Sequence, residues 1–391
     1  MLQQLTPAPP DAILGLVEAF NRDPRAEKVN LTVGTYRDAD GKTPVLACVK
    51  EAEAALLEEE QTKAYLPIPG HPTYGEEIRR LLLGESEEAV ATMQTPGGTG
   101  ALRVVADFLA EFRPGSAMWM PHPTWPNHPQ VFSRTGLTCE SYPYLDESQT
   151  QLDRQGFLDA LAALPPEQFV LVHGCCHNPS GVDLTKEDWV AAAELLARGR
   201  HLPVVDIAYQ GYGQGIEEDA AGIRILAEKV EELFVCNSFS KIFSLYRERV
   251  GGLTFMAKDP SVVETVTSRL KRCVRTHYSN PPAHGGAVVT KILTTPALRA
   301  DWLEDLSAMR DRIRAARVSL TQALRRSTGT DRFDILEQHQ GMFSLMGLSQ
   351  DQVERLREEH AIYLVANSRL NVAAITDANV DVVAQAIADV L

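Results

Sequence analysis

Ser238-Phe239-Ser240-Lys241 stands where a short apolar run, Leu233 to Cys236, gives way to loop residues, and Arg249 follows eight positions after the lysine. A lysine at the end of an apolar strand, flanked by hydroxyls and followed by arginine, suits covalent capture of a phosphorylated aldehyde. The amine would hold the carbonyl as a Schiff base, and the hydroxyls and the guanidinium would hold the phosphate. The chain has ten lysines, most of them in polar, helix-like surroundings, whereas Lys241 follows an apolar strand directly. Burial and nearby positive charge lower a lysine's pKa and favour the neutral amine that attacks carbonyls. A loop-exposed lysine is the other reading of this local pattern.

Asp206 ends a second apolar run, Leu202 to Ile207, and Tyr209 comes three residues on. A carboxylate at the C-terminal end of a buried strand faces the crevice where α/β sheets bind ligands. Opposite a pyridine nitrogen it would keep that nitrogen protonated, so that the ring accepts electrons from a carbanion. Taken alone, Asp206 equally suits a helix cap or a turn. Joined to a lysine that captures a phosphorylated aldehyde, it points to pyridoxal 5'-phosphate.

Further groups fit that ligand. Thr95-Pro96-Gly97-Gly98-Thr99-Gly100 precedes a helical pattern from Ala101 to Phe112. Glycines ahead of a helix let backbone N–H groups approach a phosphate, although a plain loop has the same composition. Asn178, in His177-Asn178-Pro179-Ser180-Gly181, could donate to a ring oxygen or a carboxylate, in a stretch that also forms turns. Trp125 could stack on a flat ring or fill a core, and His128 could support Asp206 from behind. Arg275 and Arg369 could each grip a carboxylate through two parallel bonds, or form surface ion pairs.

The elements that must position these groups follow from hydrophobic pattern. Ser116 to Met120, Phe169 to His173, Leu202 to Ile207, Leu233 to Asn237 and Gly252 to Met256 are apolar nearly throughout, which suits a mostly parallel sheet covered on both faces. Helical patterns lie between them, such as Lys186 to Arg198, announced by Thr185 and Asp188 as a variant capping box. Beyond about Leu306 the texture becomes α+β: a helix over Met309 to Arg326, then Phe333 to Leu336, Gly341 to Leu345, a helix over Gln350 to His360, and Leu370 to Ala374. This predicts an α/β protein with a second, smaller domain.

The chain is 391 residues long with a net charge of −14, which argues against nucleic acid or an anionic membrane surface as the main partner. It has no signal-peptide pattern at its start and no apolar run of membrane-spanning length. Its six cysteines are scattered, with one adjacent pair and no C-x-x-C, so no metal site is expected and reduced thiols in a cytoplasm are the simplest account.

In combination and order, these residues resemble the class I pyridoxal-phosphate aminotransferases, in the aspartate/aromatic subgroup. The resemblance runs from about Asp11 to the C-terminus. It is carried by residues 238–251 and 173–181, with Asp-Ile-Ala-Tyr-Gln-Gly at 206–211 and Tyr-Ser-Asn-Pro-Pro at 278–282. It implies the fold type I architecture, with a mostly parallel seven-stranded sheet in a large domain over 42–306. A small domain would join 11–41 to 307–391, behind an N-terminal arm at 1–10. It implies Lys241 as covalent anchor and proton shuttle, Asp206 on the pyridine nitrogen, Tyr209 and Asn178 on the ring oxygen, and Trp125 stacked on the ring. Gly98, Thr99, Ser238 and Arg249 would bind the phosphate. Arg369 would take the substrate α-carboxylate, beside Asn178 and the Gly34 backbone. Tyr65 and Arg275 resemble residues supplied by a partner subunit, which implies a homodimer with shared sites. The implied reaction is a ping-pong exchange of an amino group between an amino acid and a 2-oxo acid.

Cys-Cys-His-Asn-Pro, Lys-Ile-Phe-Ser-Leu-Tyr and Tyr-Leu-Pro look closer to the bacterial aromatic type. The expectation is therefore an aromatic-amino-acid aminotransferase that uses 2-oxoglutarate and retains aspartate activity; the alternative is a mainly aspartate-specific enzyme. Thr35, Ser180 and the Asn367-Ser368 pair depart from the commonest forms of their motifs. A non-catalytic binding protein on the same fold, or a decarboxylase or β-eliminase on the same cofactor, are the rival readings.

Overall fold

The computed structural model describes residues 2–7, 14–85 and 88–391. Residues 1 and 8–10 of the expected arm at 1–10, and the expected start of the small domain at 11, lie outside these residues. In chain order the strands are β1 (Val29–Asn30), β2 (Ala89–Pro96), β3 (Ala117–His122), β4 (Thr138–Pro143), β5 (Phe169–His173), β6 (Leu202–Ile207), β7 (Glu232–Ser238), β8 (Val250–Ala257), β9 (Phe343–Leu345), β10 (Ile362–Tyr363) and β11 (Arg369–Asn371).

Seven of them form one sheet in the order β2-β8-β7-β6-β5-β3-β4. Only β8 runs in the direction opposite to the other six. The strands are apolar throughout because both faces are covered. Val170, Val172, Val205 and Val235 join one core cluster, whereas the alternating Phe169, Leu171, Val204 and Phe234 join another. Period-2 alternation thus feeds two cores from one run of residues. The parallel strands also bring their C-terminal ends to one edge. His173 pairs with Asp206, and Asp206 with Cys236. The loops carrying the candidate residues therefore leave the sheet side by side.

The predicted helix over Lys186–Arg198 forms with its capping box: Thr185 accepts from the Asp188 N–H, and Asp188 accepts from the Thr185 N–H. The helix expected from Ala101 starts earlier, at Gly97, so the glycines form its first turn. The helix expected at 309–326 runs from Pro296 to Thr328 and passes through position 306. Phe333 to Leu336 contributes to a short 3-10 helix, Asp334–Gln338. Leu370 to Ala374 is strand only as far as Asn371, whose side chain accepts from the Ala373 N–H and starts a 3-10 turn.

The chain's two ends meet. β1 pairs in parallel with β10, and β9 pairs antiparallel with β11. The Asn371 N–H donates to the Leu31 carbonyl at 2.8 Å, joining that pair of strands to the segment after β1. Among the described residues, no helix is long and apolar enough to cross a membrane.

Candidate active site

The strand ends and the segment after β1 enclose a cavity of about 280 Å³. It is lined by Gly34, Gly98, Thr99, Trp125, Asn178, Asp206, Tyr209, Ser238, Lys241, Arg249 and Arg369 together. These are the residues that the sequence singles out, apart from His128, Tyr65 and Arg275.

At one end the donors suit a phosphate. Gly98 and Thr99 lie in the first turn of the helix Gly97–Phe112, where backbone N–H groups and the helix dipole attract anions. Ser238 and Ser240 stand within 3.1 Å of one another through their hydroxyls, and Arg249 Nη1 donates to Ser240 Oγ at 2.9 Å. Among the described residues, no carboxylate pairs with Arg249. Gly97 has a φ of +70°, and a Cβ on it would lie 2.4 Å from Arg249 Nη2. Only glycine leaves the guanidinium its place. Arg249 is itself in the left-handed region, with a φ of +54°.

At the opposite side Asp206 is backed by His128, which is fully buried. Nε2 of the imidazole lies 3.0 Å from Asp206 Oδ2. Thr124 Oγ1 lies 2.8 Å from His128 Nδ1 and 3.0 Å from His173 Nε2. This chain is satisfied when His128 donates from Nε2 to Asp206, Thr124 donates to Nδ1, and His173 donates to Thr124. Burial, together with the nearby His128, drives the His173 pKa down to about 3, so His173 is neutral. Burial opposes charge on Asp206, yet the hydrogen bond from His128, with the positive Lys241 amine nearby, outweighs it and holds the carboxyl below its usual range.

Between these ends stands Lys241, with Nζ 4.8 Å from the centre of the Tyr209 ring. Burial lowers its amine to about 8, against the pull of Asp206 and with help from the charges of Arg249 and Arg369. Burial likewise pushes the Tyr209 phenol up, so it remains a neutral donor.

On the β11 side Arg369 is 3% exposed. It donates to Asn178 Oδ1 at 3.1 Å and to the Thr32 carbonyl at 2.6 Å, while its Nε has no partner. No carboxylate among the described residues pairs with it. Burial lowers its pKa to about 10. A buried guanidinium with no counter-ion is costly unless a ligand supplies the charge.

Tyr65 and Arg275 stand elsewhere. Tyr65 is 92% exposed in the loop after the helix Ala47–Glu59. Arg275, in the last turn of the helix Pro260–His277, is exposed and donates to Ser279. The cavity also contains residues not singled out from the sequence as site residues: His173, Cys175, Ala208, Ser240, Tyr246 and Phe343. Ser240 and Tyr246 lie in the lysine motif, and His173 ends an apolar strand, so their positions carried a signal. Phe343, in a short strand far along the chain, carried none. Cys175, Cys176 and Asp219 are close enough to hold a metal ion. However, Asp219 already accepts from the N–H groups of Gly211, Gly213 and Gln214, and burial raises both thiols. The cluster pins a loop.

A family described as aminotransferase class I and II matches residues 26–387. The chain belongs to this family. It is an aminotransferase of the aspartate/aromatic subgroup. It is 45% identical over 396 residues to the aspartate aminotransferase of Escherichia coli K12, covering 100% of each chain. It is equally 45% identical, over 397 residues and 100% of each chain, to the aromatic-amino-acid aminotransferase of the same organism. Among solved structures, the aromatic-amino-acid aminotransferase of Burkholderia pseudomallei, covalently bound to pyridoxal phosphate, superposes with a TM-score of 0.96 at 45% identity. That match covers 100% of this chain and 99% of the other. The aminotransferase fold expected from the sequence is therefore the fold observed. Equal identity to both E. coli enzymes leaves the choice of side chain to the site itself.

Proposed function

We propose that this aminotransferase uses pyridoxal 5'-phosphate to move an amino group from aromatic amino acids, and from aspartate, to 2-oxoglutarate. The observation that carries the reading is the buried, carboxylate-free guanidinium of Arg369 in the same cavity as the low-pKa amine of Lys241. One suits the α-carboxylate of an amino acid; the other suits a carbonyl and then a proton.

The cofactor fits the residues present. Gly98, Thr99, Ser238, Ser240 and Arg249 would hold its phosphate, Trp125 its ring face, Asp206 its pyridine nitrogen, Tyr209 and Asn178 its ring oxygen, and Lys241 its carbonyl carbon. When bound, pyridoxal phosphate supplies an electron-accepting ring that stabilises a carbanion next to nitrogen. Arg369, Asn178 and the Gly34 backbone orient the substrate. Asp206, kept ionised by His128, keeps the pyridine nitrogen charged. Lys241 would take the α-proton of the substrate and return it two atoms further along, across the amino nitrogen. Its lowered pKa suits a base working near neutral pH.

Tyr65 and Arg275 are assigned to the active site of a second copy. Their exposure in one chain supports this. We assign 11–41 with 307–391 to a small domain that closes on the domain formed by 42–306; the pairing of β1 with β10 supports it. All six cysteines are free, which suits a reducing cytoplasm.

The test is kcat/KM for phenylalanine and for aspartate with 2-oxoglutarate, alongside the absorbance of the bound cofactor. Turnover of both, with the spectrum changing when an amino acid alone is added, is expected. A large preference for aspartate selects the aspartate-specific alternative. Carbon dioxide release identifies a decarboxylase, and no chromophore leaves a binding protein.

A further inference from the structure

The antiparallel register of β9 and β11 sets Phe343 opposite Asn371 and Leu345 opposite Arg369. Alternation along strands puts these four side chains on one face, with Phe343 and Arg369 as diagonal neighbours. The Phe343 ring is buried yet forms part of the cavity wall. Its centre is 4.3 Å from the Arg369 guanidinium carbon. The Tyr209 ring meets it edge to face at 5.9 Å and 86°.

On another side is Gly34. A Cβ there would lie 2.9 Å from Phe343 Cζ. Gly34 has no room to retreat, because Asn371 Nδ2 donates to the carbonyls on both sides of it, Val33 at 2.7 Å and Thr35 at 2.9 Å. The ring is thus wedged between a guanidinium, a phenol ring and a pinned glycine. Arg369 is tied at both Nη atoms, its Nε is buried without a partner, and the ring backs the guanidinium.

We propose that Phe343 is a positioning residue for the substrate carboxylate: wedged by Gly34, its ring holds the Arg369 guanidinium presented to the cavity. This rests on the carboxylate role of Arg369 given above. A cation–π contact supplies the attraction, and the missing Cβ at Gly34 supplies the fit.

The test measures binding of succinate and 3-phenylpropanoate, carboxylates that cannot react, to the cofactor-loaded protein by calorimetry, together with steady-state kinetics. Phe343→Leu should raise their Kd, and KM for amino and oxo acids alike, roughly ten-fold, with kcat changed less and cofactor retention unchanged. Gly34→Ala should give the same pattern by displacing the ring, and the double variant should be no worse than Phe343→Leu alone. A ring-fluorinated phenylalanine at 343 keeps the shape and weakens the quadrupole. It should raise Kd even where the leucine variant folds poorly. Unchanged carboxylate affinity in that protein, or additive effects of Gly34→Ala and Phe343→Leu, overturns the proposal. A wild-type protein that binds carboxylates but transfers no amino group overturns the functional reading and leaves this one standing.

Discussion

Nε2 of His128 stands 3.0 Å from Oδ2 of Asp206, on a histidine with no exposed surface. The carboxylate assigned to the cofactor is therefore set by a residue that does not line the cavity. His128→Leu removes the donor and leaves a buried carboxylate oxygen unpaired. A hydrogen bond to a charged group contributes about 1.5–3 kcal/mol, so the catalytic rate should fall roughly 10–100-fold. The sign in pH also follows. Asp206 has a depressed folded-state pKa, so its contribution is present above the unfolded value and lost as pH falls through the folded one. Without His128 that acid limb should move to higher pH, read from the pH dependence of cofactor absorbance and of kcat/KM.

On the proposed mechanism Lys241 carries the covalent and proton-transfer roles, and Lys241→Ala should lose turnover by several orders of magnitude while still binding cofactor non-covalently. Near-normal activity in that variant would falsify the role. Burial lowers the free amine to about 8 rather than the usual 10.5. Covalent uptake of pyridoxal phosphate by cofactor-free protein should accelerate with pH and level off above about 8, as followed by stopped-flow absorbance. A buried amine with a depressed pKa also costs the cofactor-free fold stability while protonated. That cost eases as pH rises from about 8 to 10.5, a slope that should vanish in Lys241→Met.

The Gly97–Arg249 approach gives a test of the phosphate cradle. Gly97→Ala places a methyl 2.4 Å from Arg249 Nη2 at a φ of +70°. Left-handed backbone alone costs a non-glycine residue about 1–2 kcal/mol. Cofactor retention on dilution should drop at least ten-fold. Arg249→Gln should do the same, and the double variant should add little, because both changes remove one guanidinium from one place.

Two inactive proteins should rescue each other if Arg275 serves a partner's site. A Lys241→Ala chain and an Arg275→Ala chain, unfolded and refolded together, form mixed dimers in which one of two sites has both residues. Random pairing predicts about a quarter of wild-type activity towards aspartate in the mixture. Activity no greater than the two separate preparations would place Arg275 outside the shared site.

The candidate site was legible in the chain wherever a polar group stands at or shortly after the end of a buried strand. Lys241 after β7, Asp206 in β6 and Asn178 after β5 each stand out because an apolar run ends and a polar residue starts. The capping box at Thr185 was legible for a similar reason, since both partners are local. Phe343 was not legible. It lies in a three-residue strand, too short for periodicity to register, and its neighbours Arg369 and Gly34 are distant in sequence. The change of pattern near 306 marks no break in the backbone: the helix runs unbroken from Pro296 to Thr328, because a change of partners along a helix needs no change of backbone.

The carbonyl clamp that Asn371 places around Gly34 joins residues more than 330 positions apart. Every side chain assigned to the cofactor lies before β8 ends, whereas the guanidinium assigned to the substrate belongs to the last strand. During synthesis, then, a nascent chain can carry all its cofactor ligands long before Arg369 leaves the ribosome. Loading can precede competence, and a chain cut short near its end should remain coloured by its cofactor yet blind to amino acids.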